Sequence, residues 1–333
     1  MDKGGKRRQG EGGRQMSIRT AMVCGFLAVI CSEMGLAADA NKPQVAADNF
    51  TCLTNVPYGP DPENVLDLWL AKSDKPTPLV VYFHGGGFYG GDKSGMENWG
   101  KQYSKNGISF ASANYRLTPK VIYPAPFMDC VRAIQFLRAN AAKWNLDAGR
   151  VAGGGRSAGA GMALWIAFHK DFAEPRSDDP VARQSTRLTC VAVENAQASY
   201  DPRFIKEHIP GNAYRDGCNS QLFGLKDNEI LNPPPDKARL MEDGAPINQI
   251  AAGAPPVMIT YERASMEDKD KPGDMHHVRM GILLKEKLDA ARVECVLVTQ
   301  SPADPRPSER VSTGAEKSDL DFFLRHFGMS PRK

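Results

Sequence analysis

Two glycine-rich segments carry the residue types and the spacing of an acyl-transfer site. They are HGGGF at residues 84–88 and GRSAG at residues 155–159. The second has the G-x-S-x-G form, which places a serine hydroxyl on a sharp strand-to-helix turn with glycines where backbones approach closely. The first has the HGGG form, whose backbone N–H groups can stabilise the oxyanion of a tetrahedral intermediate. With 31 glycines in the chain, either match alone is weak evidence, so the prediction rests on the pair.

The residues around both segments predict the elements that position them. A continuous apolar run over 79–83 ends at the first segment and is typical of a buried parallel strand. Residues 150–152 are a strand candidate before the second segment, and 158–169 have helical composition after it. Between the two segments, a strand over 108–114 and a helix over 126–144 add another βα unit. This order predicts an α/β fold with a mostly parallel sheet of about eight strands flanked by helices.

The remainder of the chain continues this pattern, with one interruption. Further predicted strands are 51–56, 65–70, 189–193, 256–261 and 295–299, and further helices are 277–291 and 320–327. The strand over 51–56 is expected to be the antiparallel edge neighbour of 65–70. Residues 199–253 are rich in proline and glycine and predict a small irregular insert. An insert of this length favours a lid over the strand ends, with a solvated connector as the alternative.

The amino-terminal residues 1–38 have the layout of a secretory signal peptide. Six basic residues precede the apolar run 21–30, and small residues follow at Gly35, Ala37, Ala38 and Ala40. We therefore expect a secreted or periplasmic protein with an α/β domain over 49–328. The alternative is a buried core helix. Because the apolar run is about half the length that spans a bilayer, no stable membrane anchor is expected.

Charge and cysteine content exclude several classes of partner. Removing residues 1–38 takes away six basic and three acidic residues and leaves 36 of each, so no nucleic acid partner is expected. The five remaining cysteines show no C-x-x-C spacing, which argues against a zinc or redox site. Export would permit a disulfide, but the sequence determines neither its pairing nor the oligomeric state.

The two segments, together with NYRLTP at 114–119, resemble the hormone-sensitive-lipase-like branch of the α/β-hydrolases, which includes small secreted feruloyl- and acetyl-xylan-esterase-like members. The resemblance covers roughly residues 50–328 and implies the α/β-hydrolase fold. It implies Ser157 as nucleophile, and the N–H groups of Gly86, Gly87 and Ala158 as oxyanion donors. His84 is implied to brace the loop. The resemblance implies no metal or organic cofactor, and a small-molecule or carbohydrate-linked ester as substrate.

The chain departs from the family in its general base. The family order is Ser, then an acid after the seventh strand, then His after the eighth. The loop at 300–310, which follows the last predicted strand, contains no histidine. His276 and His277 follow the preceding strand, and loops at the carboxyl ends of parallel strands share one face of the sheet. We therefore predict that this pair supplies the base. The alternative is that one histidine caps the following helix and the other is solvated.

The acid is less sharply defined than the base. A gapless comparison with the family places Ser265 or a neighbour at the acid position. A longer loop would allow Asp268, our preferred candidate, or Glu267, and Asp274 lies near the histidine pair. Solvated loop charge is the alternative for these carboxylates.

Two functions from different classes follow from these residues. The first is a secreted serine hydrolase that cleaves carboxylic esters by acyl transfer through Ser157. The second is a catalytically impaired α/β-hydrolase-fold binding protein that lacks the triad histidine. A hydrolase of peptides or other acyl compounds would differ from the first only in its pocket. The retained serine and glycines favour an enzyme, whereas the missing histidine favours a binding protein.

Overall fold

The computed structural model describes residues 44–45, 50–261, 275–299 and 318–331. The chain divides into two units, 1–39 and 40–333, and every described residue belongs to the second unit. The predicted signal peptide over 1–38 therefore lies outside the described residues, as do Asp268 and the other acid candidates.

A nine-stranded sheet forms the centre of the described part of the chain. Its strand order is β1-β2-β3-β5-β4-β6-β7-β8-β9. The pairs from β5 to β9 are parallel, and those from β1 to β3 and between β3 and β5 are antiparallel. The strands are β1 Gln44–Val45, β2 Phe50–Pro57, β3 Val65–Ala71, β4 Thr77–Phe83, β5 Ser109–Ala113, β6 Leu146–Arg156, β7 Val191–Glu194, β8 Val257–Tyr261 and β9 Cys295–Thr299. The predicted mostly parallel sheet is confirmed, with the two-residue β1 added at its edge.

Helices cover both faces of this sheet. In β4, Val81 packs into the larger core and its neighbour Val80 into the smaller one, as the two-residue period of a strand requires. The larger core lies under α2, α3 and α8, and the smaller core under α1 and α9. The helices in the described residues are α1 Glu97–Lys105, α2 Ala125–Ala139, α3 Ala158–Phe168, α4 Pro202–His208, α5 Gly217–Leu222, α6 Pro235–Asp243, α7 Pro246–Gln249, α8 Arg279–Ala290 and α9 Asp319–His326. None of these helices is long and apolar enough to span a bilayer.

The insert predicted over 199–253 has more regular structure than its prolines and glycines indicated. It contains the four short helices α4 to α7 and two 3-10 turns. The insert is tied to the rest of the fold by hydrogen bonds that its backbone carbonyls accept. The indole Nε1 of Trp165 in α3 donates to the Asp243 carbonyl at 2.8 Å, and the Tyr123 N–H donates to the Leu222 carbonyl at 2.8 Å.

Candidate active site

Ser157 lies on a strained turn between β6 and α3. Its backbone adopts φ 53° and ψ −119°, a conformation that costs a residue with a side chain about 1–3 kcal/mol. The Ser157 N–H donates to the Glu194 carbonyl at 2.9 Å, which fixes the turn against β7. All eleven residues of α3 are buried, so the helix after the turn cannot shift to release the strain. The serine hydroxyl is therefore held at the carboxyl end of the central strands.

The glycines on either side of Ser157 are needed for close backbone approach. A Cβ on Gly159 would overlap the carbonyl oxygens of Phe83 and His84 at the end of β4. A Cβ on Gly155 would stand 2.5 Å from the carbonyl carbon of Gly159. The steric reason predicted for the G-x-S-x-G spacing is confirmed.

The HGGG segment lies directly against this turn. A Cβ built on Gly85 would stand 3.3 Å from the Ser157 Cβ. Gly86 has φ +116°, and its carbonyl accepts from Gly90 N–H at 3.0 Å, which closes a tight loop. Among the described residues no acceptor binds the N–H groups of Gly86 and Gly87. Ala158 is the first residue of α3, so its N–H has no acceptor within the helix. Two of the three predicted oxyanion donors thus lie on the HGGG segment beside Ser157, and the third is the residue after Ser157.

His84 is buried beneath the HGGG loop. Its Nδ1 lies 2.7 Å from the Gly85 carbonyl oxygen, so this nitrogen carries the proton and donates. Burial lowers the pKa of His84, which keeps the ring neutral at physiological pH. These contacts fit a bracing role rather than that of a base.

His276 is the histidine that reaches the serine. It lies on the segment between β8 and α8, and its Nε2 is 2.8 Å from Ser157 Oγ. The side chain is exposed, whereas Met275 and His277 on either side are buried. A serine and an imidazole at this distance have the geometry of a nucleophile and its base.

His277 points into the protein instead. It is 3 % exposed, and its Nδ1 accepts the Arg279 N–H at 3.0 Å, at the start of α8. Of the two histidines predicted as candidate bases, the structure brings His276 to the serine and turns His277 away from it, because adjacent residues at a helix start point in different directions. The remaining histidines outside the HGGG loop lie elsewhere, with His169 Nε2 3.4 Å from Asp243 and His326 Nε2 3.8 Å from Glu294.

Two buried amides that the sequence did not single out fix the residue before His276. Gln197, which follows β7, donates from Nε2 to the Met275 carbonyl at 3.2 Å. Asn219, in α5 of the insert, donates from Nδ2 to the Met275 sulfur at 3.7 Å. No local sequence motif predicts either contact, because each joins residues more than fifty positions apart.

The described residues hold no group of three or more His, Cys, Asp or Glu side chains that could bind a metal ion. The five cysteines within them are all free thiols. Cys218 in α5 lies beside the HGGG loop, where a Cβ on Gly87 would stand 3.1 Å from the Cys218 Cβ. The insert therefore borders the site.

Sequence comparison places the chain in a known family. The model of the feruloyl-esterase-like family BD-FAE matches residues 66–268, more than half of the chain, and this span includes both glycine-rich segments. The chain belongs to the BD-FAE family. The match agrees with the resemblance to α/β-hydrolases of the feruloyl-esterase-like branch, and that prediction is confirmed.

Relatives of this BD-FAE protein include both plant and bacterial enzymes. Tuliposide A-converting enzyme 2 of Tulipa gesneriana is 28% identical over 201 residues, covering 58% of this chain and 46% of the tulip protein. Esterase LipC of Mycobacterium tuberculosis is 22% identical over 209 residues, covering 61% of this chain and 49% of its own. The chain spans about half the length of the curated relatives it matches.

Solved structures share the fold. An acetyl ester-xyloside bifunctional hydrolase from Caldicellulosiruptor lactoaceticus is 27% identical and superimposes with a TM-score of 0.58, covering 72% of this chain and 79% of that one. The α/β-hydrolase fold predicted for the chain is confirmed by this similarity and by the sheet itself.

Proposed function

We propose that this protein is a serine hydrolase that cleaves carboxylic esters by acyl transfer through Ser157. One observation carries the proposal: His276 Nε2 lies 2.8 Å from the hydroxyl of a serine held at φ 53° on a strand-to-helix turn. The impaired-binding-protein alternative depended on a missing histidine. A histidine at hydrogen-bond distance from Ser157 supports the hydrolase over that alternative.

In the acylation step, His276 Nε2 accepts the proton of Ser157 Oγ as this oxygen attacks the ester carbonyl carbon. The carbonyl π electrons move to its oxygen, and the resulting oxyanion is stabilised by the N–H groups of Gly86, Gly87 and Ala158. The protonated imidazole then donates to the alcohol oxygen as the ester C–O bond breaks. An acyl-Ser157 intermediate and a free alcohol result.

Deacylation repeats these steps with water as the nucleophile. His276 accepts a proton from water, the hydroxide oxygen attacks the acyl carbon, and the same donors hold the second oxyanion. When the intermediate collapses, the imidazolium returns its proton to Ser157 Oγ and the carboxylic acid is released. In this scheme an acid must orient the imidazole through its other nitrogen, and we propose Asp268 for that role.

The substrate class follows from the relatives rather than from a pocket. Several relatives are esterases by name, and one solved structure is an acetyl ester-xyloside hydrolase. We propose a small-molecule or carbohydrate-linked ester as substrate, hydrolysed without a metal or organic cofactor.

The test combines activity with covalent labelling. Ser157→Ala should lower the kcat for p-nitrophenyl acetate by roughly three orders of magnitude or more, with a residual rate from the oxyanion donors. A fluorophosphonate should add once per chain to the wild-type protein, at Ser157 in peptide mapping. Wild-type turnover by Ser157→Ala, or phosphonylation at another residue, would refute the mechanism.

We also propose export, because a basic flank, a short apolar run and small residues succeed one another within residues 1–40. Mass spectrometry of the protein from its native host should find a new amino terminus near Ala37, Ala38 or Ala40. Intact residues 17–38 on protein from the cytoplasm would contradict this proposal.

A further inference from the structure

His276 is exposed, whereas the residues on either side of it in the chain, Met275 and His277, are buried. Catalytic geometry must be held within about half an ångström, and buried neighbours usually supply that precision. Met275, the residue before His276, is 6 % exposed and is contacted by two side-chain amides. Gln197 binds its carbonyl oxygen and Asn219 binds its sulfur, at 3.2 and 3.7 Å. The two donors come from different parts of the chain and meet at one residue.

Gln197 is itself oriented by a third buried group. The Tyr200 hydroxyl donates to Gln197 Oε1 at 3.3 Å, which leaves the amide nitrogen to donate to Met275. The Tyr200 ring also packs edge-on against Phe88 of the oxyanion loop, with ring centroids 4.9 Å apart. Its hydroxyl lies where a Cβ on Gly161 of α3 would stand. Tyr200 therefore contacts the oxyanion loop, the helix after the serine and the glutamine.

A buried amide needs a hydrogen-bond partner, and the side-chain amides of Gln197 and Asn219 both donate to Met275. Gln197 is 3 % exposed and Asn219 is 0 % exposed, so each would pay a desolvation cost if it lost its partner. The bond from Gln197 restricts the backbone next to His276, and the weaker contact from Asn219 holds the Met275 side chain.

We propose that Gln197 is a positioning residue for the base, supported by Asn219, and that it acts by holding Met275 so that His276 Nε2 stays within reach of Ser157 Oγ. This inference rests on the proposed Ser157–His276 mechanism. Gln197 acts through the histidine, so its loss should lower the rate of proton transfer and leave ester binding nearly unchanged. A displacement of about 1 Å is enough to cost up to a hundredfold in rate.

The experiment compares two buried glutamines by the same substitution. Gln197→Met keeps the side-chain length and removes both hydrogen-bonding atoms. Gln135→Met is the matched control, because Gln135 is 4 % exposed and its Nε2 donates to the carbonyls of Phe172, Ala182 and Gln184, away from the serine. With p-nitrophenyl acetate, Gln197→Met should lower kcat about ten- to hundredfold and change KM by less than about twofold. Gln135→Met should lower Tm and leave kcat within about twofold.

A double substitution separates positioning from general damage. In the His276→Ala background, Gln197→Met should change the residual kcat by less than about twofold, because the group it positions is gone. If Gln197→Met behaves like Gln135→Met, or multiplies the loss in the His276→Ala background, the positioning role is refuted. If Gln197→Met does not fold, the same measurements are made on Asn219→Leu, which removes the other hydrogen bond to Met275.

The proposed mechanism can fail separately. If His276→Ala keeps the wild-type rate, the Ser157–His276 pair is refuted, and the positioning role with it. If His276→Ala loses activity while Gln197→Met and Asn219→Leu both keep it, only the positioning role is refuted.

Discussion

Tyr115 is stacked on His84, with ring centroids 4.2 Å apart and planes 12° from parallel, and its hydroxyl donates to the His84 carbonyl at 2.8 Å. Both side chains are buried. The contact joins the segment after β5 to the first residue of the HGGG loop. It also places an imidazole where protonation is unfavourable.

His84 should make the stability of the protein pH-dependent. Because its folded pKa is lowered from 6.5 by burial, its contribution to the free energy of unfolding is complete above about pH 6.5 and is lost as pH falls towards the lower folded pKa. His84→Phe keeps an aromatic ring for Tyr115 and removes the titration. Its Tm should fall less than the wild-type Tm between pH 7.5 and pH 5.5, in thermal scans at about these two values. Equal slopes in the wild-type and His84→Phe proteins would contradict the prediction.

The two adjacent histidines should give opposite results when replaced by alanine. His276→Ala should lower kcat for an activated ester by about a hundredfold or more with little change in Tm, because the side chain is exposed and is the proposed base. His277→Ala should lower Tm, because it removes a buried ring and the acceptor of the Arg279 N–H at the start of α8, and a lost hydrogen bond costs about 1 kcal/mol. Its kcat should stay within about threefold. Loss of activity only in His277→Ala would reverse the assignment.

The glycine two residues after the serine should not tolerate a methyl group. Gly159→Ala would place a Cβ onto the carbonyl oxygens at the end of β4, so the free energy of unfolding should fall by about 1–3 kcal/mol or more. Gly217→Ala is the control, because the nearest atom to its Cβ would be 4.0 Å away, at the first residue of α5. Urea titration measures both. Equal urea midpoints for the two variants would show that the turn at Ser157 can relax to admit the methyl group.

The described cysteines should react slowly in the native protein and completely after denaturation. Burial is the main reason that the pKa of Cys52 is raised to about 11 and that of Cys295 to about 12. Little reactive thiolate is therefore present at pH 8. Alkylation with iodoacetamide, without a reductant, should label all five after unfolding, because all are free thiols. Peptide mapping is the measurement. A pair that stays unlabelled until a reductant is added would reveal a disulfide.

Sequence patterns predicted the sheet well, because its signals are local. The apolar run that forms β4 and the glycines around Ser157 each act on their immediate neighbours in the fold. The insert was harder to predict, because Pro202, Pro235 and Pro246 are helix breakers in a helix interior but favourable at its first turn. Three of its short helices begin at these prolines.

For the proposed base, the sequence left a choice between two adjacent histidines. The sequence placed the pair after the correct strand, but which ring faces the serine depends on the backbone direction at the start of α8. That direction is set by contacts of Met275 with Gln197 and Asn219, 78 and 56 residues away in sequence. Hydrogen bonds at such separations leave no periodic pattern to read.

The contact between Asn219 and Met275 limits how freely parts of this protein can be exchanged with those of its relatives. α5 contributes Cys218 to the wall beside Gly87 and Asn219 to the support of the histidine segment. A chimera that received its 199–253 segment from a relative would therefore replace the residue beside Gly87 and the proposed support of His276 together. Substrate preference and turnover number should change in concert in such chimeras, and selection for one would constrain the other.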